Sequence, residues 1–233
     1  MEKGREGEGS NTWNRHTLIW ITPEGRQYAA GHIVPWQWEE EDPEDMAWKR
    51  LLVQDEKVPG IICRQPGQRE GFWLAGFSHW EYRNGNRLRM QAYVPEEMVW
   101  KSCSPFELCA EGERDRLCGK YPELEPVFEA AGDFGVELGL YGSTALEWVT
   151  KCPYRNQGSD FDLYIRAGKA GNLEGFGREL QRLEKRQGIR FDVEVEIQGF
   201  GVKLREFLER RKTILGKGLY EVKLLETKNM TET

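Results

Sequence analysis

Between Val136 and Ile197 the apolar residues change period twice, and that change most constrains the fold. Val136, Leu138 and Leu140 recur at every second position, the pattern of a strand whose side chains alternate between two faces. Phe161, Leu163 and Ile165 repeat it, as do Phe191, Val193, Val195 and Ile197. Between the first two strands, Thr144 to about Val149 reads as a helix, with Thr144 and Glu147 in capping-box spacing and Pro153 as its stop. Between the last two, Leu173, Phe176, Leu180 and Leu183 fall on one helical stripe that Gly188 closes. A charged helix over 203–212 and a last strand near 219–225 continue the series. Strands alternating with helices predict a mixed α/β or α+β unit.

The preceding residues have a different texture. Residues 17–21, 59–64 and 71–77 are short apolar runs, with a helix expected over 46–53 after the charge run EEEDPED (39–45). That run reads as a solvated loop rather than a metal site. Asn84-Gly85 signals a hairpin, since both residues tolerate positive φ, and Leu88, Met90, Ala92 and Val94 then alternate with polar positions. Pro105, Pro122 and Pro126 punctuate short helical patterns in between. The expected organisation is a tail over 1–10, a strand-rich N-terminal domain over 11–102, a helical connection over 103–131, a second domain over 132–226 and a tail over 227–233. The fold class is α+β, with the second domain a mixed sheet flanked by helices.

A hydrophobic content of 39% with nine Trp suffices for real cores in 233 residues. The net charge of -6 argues against a protein that wraps nucleic acid by general attraction, though a local basic pocket for a phosphorylated small molecule remains compatible with it. Five Cys without a CxxC pair, and three His, make no zinc framework and read as free thiols in a reducing compartment. The opening MEKGREGEGSN is polar, and no later run approaches the ~18 apolar residues of a membrane span. The expectation is a cytoplasmic protein with no membrane and no nucleic-acid partner.

Three features carry chemistry. The apolar face of 161–165 leaves Asp160 and Asp162 together on the other side, about 6.6 Å apart along the strand. Alone, two ionised carboxylates about 5 Å apart repel by roughly 3 kcal/mol at an effective dielectric of 20, a cost that a divalent cation such as Mg²⁺ removes. An isolated Asp-x-Asp also fits two solvated side chains at a strand edge. Gly142-Ser143 lies between a strand and a helix N-terminus, where backbone N–H groups and a hydroxyl hold phosphate oxygens or simply cap the helix. Asp192, Glu194 and Glu196 lie opposite the apolar side of the third strand, offering a third carboxylate or only a wet face.

In this order the features resemble the DNA polymerase β-like nucleotidyltransferases: a Gly-Ser turn, a helix, a strand with Asp-x-Asp, and a carboxylate on a later strand. The block LYGSTALEWVTKCPYRNQGSDFDLYI (140–165) is more specifically similar to the phosphoribosyl-dephospho-CoA transferases called MdcG, the malonate decarboxylase holo-acyl-carrier-protein synthases. Arg15-His16-Thr17-Leu18-Ile19-Trp20 resembles that family's opening without its Pro and Asp. Phe191-Asp192-Val193-Glu194 resembles a Leu-Asp-Gly-Glu segment, with Val193 in place of Gly.

The resemblance implies transfer of a phosphoribosyl-dephospho-CoA group from 2'-(5''-triphosphoribosyl)-3'-dephospho-CoA to a serine of the malonate decarboxylase acyl carrier subunit, with release of pyrophosphate. It implies Mg²⁺ on Asp160 and Asp162, outer phosphates at Gly142 and Ser143, and Asp192 or Glu194 completing the metal site. Arg155 and Lys217 are weaker candidates for pairing with phosphate. Lys203, Arg205, Arg210, Arg211 and Lys212 form the densest basic run and a candidate docking surface for an acidic carrier. Two other readings share this sequence: a nucleotidyltransferase that moves AMP from ATP, and a non-catalytic binding module.

Overall fold

The computed structural model describes residues 13–34, 43–83, 85–168 and 171–227. The expected tail over 1–10, most of the charge run, Asn84 and residues 228–233 of the last tail lie outside the described residues. Two six-stranded sheets organise the chain, and the class is α+β. The strands of the first sheet are β1 (Leu18–Ile21), β2 (Ile33–Val34), β3 (Gly60–Ile62), β4 (Phe72–Arg83), β5 (Asn86–Pro95) and β6 (Val99–Cys103), in the order β2-β5-β4-β3-β1-β6. Its strands pair antiparallel, and β4 and β5 form the long hairpin that the sequence signals, with Arg83 opposite Asn86.

Two helices cover one face of this sheet, α1 (Pro23–Gly31) and α2 (Pro43–Gln54). Thr22 caps α1 by accepting from the Gly25 N–H, and Pro23 presets φ for its first turn. The buried Arg26 donates to the carbonyls of Val53, Glu56 and Val58, tying α1 to the end of α2. Alternation along β1 then serves two cores. Ile19 and Ile21 pack under these helices with Val53, Phe77 and Val94, whereas Leu18 joins the core of the second sheet.

The segment after β6 holds α3 (Glu111–Lys120) and α4 (Glu125–Asp133). Leu117, Leu124, Val127 and Ala131 from this stretch are buried in the core of the second sheet. That sheet contains β7 (Val136–Leu140), β8 (Phe161–Ala167), β9 (Phe191–Ile197), β10 (Phe200–Lys203), β11 (Thr213–Lys217) and β12 (Val222–Glu226), in the order β12-β11-β10-β9-β8-β7. β8 and β9 are parallel and the other pairings antiparallel, so the sheet is mixed. Its helices are α5 (Gly142–Thr150), α6 (Leu173–Gln187) and α7 (Leu204–Leu208). Asn172 caps α6, Gly188 closes it at φ 69°, and Phe176, Leu180 and Leu183 form its buried stripe, as the sequence pattern predicts.

Three local expectations are corrected. The Thr144–Glu147 capping box does not form, because both side chains have other partners. The Thr144 hydroxyl accepts from the Asp162 N–H, and Glu147 accepts from the Tyr121 hydroxyl and the Arg155 N–H, so α5 begins earlier, at Gly142. The charged helix over 203–212 shrinks to α7, since Lys203 still belongs to β10 and Arg210 adopts φ 52°. The single strand near 219–225 becomes the β11–β12 hairpin.

All five cysteines carry free thiols, and no helix among the described residues is long and apolar enough to cross a membrane. Polar contacts join the two sheets around Tyr154. Its ring is fully buried beside Trp80, its hydroxyl donates to the Ser78 carbonyl at 2.7 Å, and its own carbonyl accepts from Arg87. Tyr154→Phe keeps the ring but leaves the buried Ser78 carbonyl without this donor. The expected loss is about 1–2 kcal/mol in urea unfolding, and an unchanged midpoint would show that this bond does not hold the halves together.

Candidate functional site

The site starts at a tight turn. After β7, the Tyr141 N–H donates to the Asp162 carbonyl at 3.2 Å, and Gly142 takes φ 58°. Ser143 at the first turn of α5 then donates both its N–H (2.8 Å) and its hydroxyl (2.7 Å) to Asp162 Oδ2. Only glycine suits position 142. A Cβ there would lie 2.6 Å from the same carboxylate oxygen, on a backbone conformation L residues rarely adopt. The positive end of the helix dipole also favours an anion here. Burial nevertheless prevails over the Ser143 bonds, and with the neighbouring Asp192 charge it holds the Asp162 carboxyl above the ordinary aspartate range.

Parallel pairing of β8 with β9 puts Asp162 opposite Asp192, on strands about 4.8 Å apart. The Lys203 ammonium from β10 donates to both Asp192 oxygens, at 2.6 and 2.7 Å, and to the Tyr141 hydroxyl at 3.3 Å. Tyr141 in turn donates to Asp192 Oδ2 at 3.3 Å. Burial first, then the Asp192, Asp162 and Glu194 charges, push its phenol up, so it stays a protonated donor. The Asp192 and Lys203 side chains remain 39% and 35% exposed, so this end of the pair opens to solvent.

Glu194, two residues along β9, has a different environment. Its side chain is only 4% exposed, and Oε1 accepts from Arg15 Nη1 at 3.0 Å and from His16 Nε2 at 3.1 Å. An ionised carboxylate only accepts, so Nε2 carries the proton. Burial opposes the Glu194 charge, but the His16 hydrogen bond and the charges of His16, Arg15 and Lys203 outweigh it and hold the carboxyl down at about 2. Burial lowers His16 in turn. Gly201 on β10, in register with Glu196, makes room for the Glu194 side chain: a Cβ there would sit 1.8 Å from Oε1. His16 also packs its ring against Tyr141 and Tyr164 at 4.5 and 5.3 Å.

The residues singled out in the sequence are therefore divided. Gly142, Ser143, Asp162 and Asp192 come together. Asp160, just before β8, is drawn to Arg190, whose Nε lies 2.8 Å from Oδ1 in an ion pair too poorly aligned to count as a hydrogen bond. Arg155 stacks on Phe161 at 3.4 Å and donates to the Ser159 carbonyl, while its buried Nε has no partner among the described residues. Lys217 brings its carbonyl, which accepts from Arg15 at 2.6 Å. The basic run is dispersed: Lys203 faces Asp192, and Arg205, Arg210 and Arg211 pair with Glu184, Glu174 and Glu209. Among the described residues, no group of three His, Cys, Asp or Glu side chains is gathered into a ligand set. The Asp162–Asp192 pair still suits a hard divalent cation, being two carboxylates in register, one of them desolvated and destabilised by its neighbour's charge.

Tyr141 and Lys203 escape a reading based on motifs. Tyr141 reads as the end of a strand, and Lys203 as one of several surface cations; only the short turn that pairs β9 with β10 brings Lys203 onto Asp192. Arg15 and His16 carry a signal only through their resemblance to a family opening.

Compared with known families, residues 118–228 match the phosphoribosyl-dephospho-CoA transferase MdcG C-terminal domain. No curated protein and no solved structure matches the chain significantly.

Gly142→Ala should cost about 2 kcal/mol in urea unfolding, from the left-handed backbone and the crowding of Asp162. Gly112→Ala on α3, where a Cβ meets nothing within 4 Å, is the reference and should be neutral or stabilising. Equal midpoints for the two variants would contradict the described turn.

Proposed function

We propose, from the match of residues 118–228 to the MdcG C-terminal domain, that the chain transfers phosphoribosyl-dephospho-CoA from 2'-(5''-triphosphoribosyl)-3'-dephospho-CoA to a serine of the acyl carrier subunit of malonate decarboxylase. The observation that carries this reading is the Gly142-Ser143 turn clasping Asp162, with Asp192 beside it in register. In the reaction the serine oxygen bonds to the innermost phosphorus of the triphosphate, the bond to the outer two phosphates breaks, and pyrophosphate departs. The serine proton is lost, and a phosphodiester remains.

Asp162 and Asp192 would hold Mg²⁺, with Asp160 as a further ligand from the start of β8. When bound, the ion supplies charge neutralisation on the triphosphate and acidifies the attacking hydroxyl. The Ser143 N–H and hydroxyl, which hold Asp162 in this structure, are donors already directed at an anion. They would take the outer phosphates at the N-terminus of α5. Arg155, with a buried Nε–H free to donate, adds positive charge near Asp162. Lys203 orients Asp192 and offsets its charge, and Lys217 is a more distant cation. Glu194, engaged by Arg15 and His16, positions the strand rather than serving the ion.

Incubation of the chain with donor and carrier, followed by intact mass of the carrier, tests the proposal. A mass gain of one phosphoribosyl-dephospho-CoA group is expected. A gain of AMP from ATP instead would move the chain to a different nucleotidyltransferase class, and no gain with either donor would contradict catalysis. Asp162→Asn and Asp192→Asn should lower the rate by at least about 10²-fold while staying folded, as loss of a transition-state electrostatic group does. Unchanged turnover in the folded Asp162→Asn variant would overturn the assignment.

A further inference from the structure

Lys203 is the last residue of β10, and its ammonium donates to both Asp192 oxygens, at 2.6 and 2.7 Å. Oδ2 also accepts from the Tyr141 hydroxyl, so two donors already meet an oxygen with about two lone-pair sites. A divalent ion shared between Asp162 and Asp192 needs the same carboxylate, and two cations on one carboxylate repel. The arginines that follow Lys203 do not enter this competition. Arg205, Arg210 and Arg211 pair with Glu184, Glu174 and Glu209 instead. Lys203 therefore occupies the ligand that the proposed ion must take.

Resting on the reading of Asp162 and Asp192 as a metal pair, we propose that Lys203 is a resident counter-ion of Asp192 that yields its place to Mg²⁺, and that its freed ammonium then binds the donor's phosphates. The side chain is built to move. Its backbone is fixed by pairing with Glu194 and by the start of α7, whereas its side chain is 35% exposed at the open end of the carboxylate pair. A flexible lysine stem lets the ammonium shift while the strand stays. Tyr141 keeps Asp192 oriented meanwhile, because its hydroxyl donates to Oδ2 and its ring is held against His16 at 4.5 Å. Glu194 is the neighbouring carboxylate on β9, but its Oε1 already accepts from Arg15 and His16. Phosphate oxygens arriving with the ion are thus the new partner for the ammonium. An ion alone expels Lys203 without offering it a partner, and an ion with phosphate offers one, so the two ligands favour each other's binding.

The test uses the full chain and two probes, Mn²⁺ without pyrophosphate and magnesium pyrophosphate. Lys203→Met removes the competitor and keeps the apolar stem. It should bind Mn²⁺ alone about tenfold more tightly than the wild type, and magnesium pyrophosphate about tenfold more weakly. The opposite signs separate displacement from a structural role, since a loosened site would weaken both. Lys203→Gln, a second neutral variant, should behave alike, and Lys203→Arg, which keeps a cation on Asp192, should stay close to wild type in the Mn²⁺ titration. Lys223→Met removes the same charge from beside the Phe200 ring and should match wild type with both probes. Unchanged affinity for either probe in the folded Lys203→Met and Lys203→Gln variants would overturn the exchange, and so would weaker binding of both. The metal reading would stand in those cases. A wild-type chain that binds no Mn²⁺ even with pyrophosphate would overturn both.

Discussion

In the second sheet, β8 and β9 run parallel, and that single pairing sets where every charged group in the site must go. It places Asp162 and Asp192 side by side, two anions whose repulsion the fold must offset. A parallel pair also needs a long crossover, which α6 supplies by burying its stripe against the sheet. Cations and dipoles then gather around the pair. Ser143 and the start of α5 answer Asp162, and Lys203 answers Asp192. The antiparallel return of β10 is what allows Lys203 to reach across.

The N-terminal half meets the same need one step further along β9. Glu194 stays ionised although buried because Arg15 and His16 reach it from the segment preceding β1. The first sheet is therefore coupled to the second by a desolvated charge cluster as well as by the apolar contact of Leu18 and the Tyr154 hydroxyl bond. This arrangement covers the β9 face around Glu194 and leaves Asp192 and Lys203 partly open. Solvent access to the carboxylate pair is thus kept to one end of the strand pair.

Much of this was legible in the sequence because it rests on local pattern. The period-two strands at 136, 161 and 191, the stripe of α6 and its Gly188 cap follow from side-chain geometry alone. So does the placing of Gly142-Ser143 at a strand-to-helix junction. What stayed hidden depends on contacts across long stretches of chain. Thr144 and Glu147 have the spacing of a capping box, yet partners from Asp162, Tyr121 and Arg155 claim them. Lys203 looks like its basic neighbours until β10 pairs with β9. The polar side of β9 reads as solvated, but the N-terminal segment buries its middle carboxylate.

Divalent-ion binding tests the account most directly, because it measures the carboxylate pair without requiring the acceptor. Titration of Mn²⁺, followed by the electron paramagnetic resonance of the free ion in the presence of pyrophosphate, should reveal a site in the wild-type chain. Asp162→Asn and Asp192→Asn should each weaken it by at least about tenfold, and Glu194→Gln should leave it nearly unchanged. Equal Mn²⁺ affinity in the wild type and in folded Asp162→Asn and Asp192→Asn variants would contradict the claim that these two strands build a metal-dependent transfer centre.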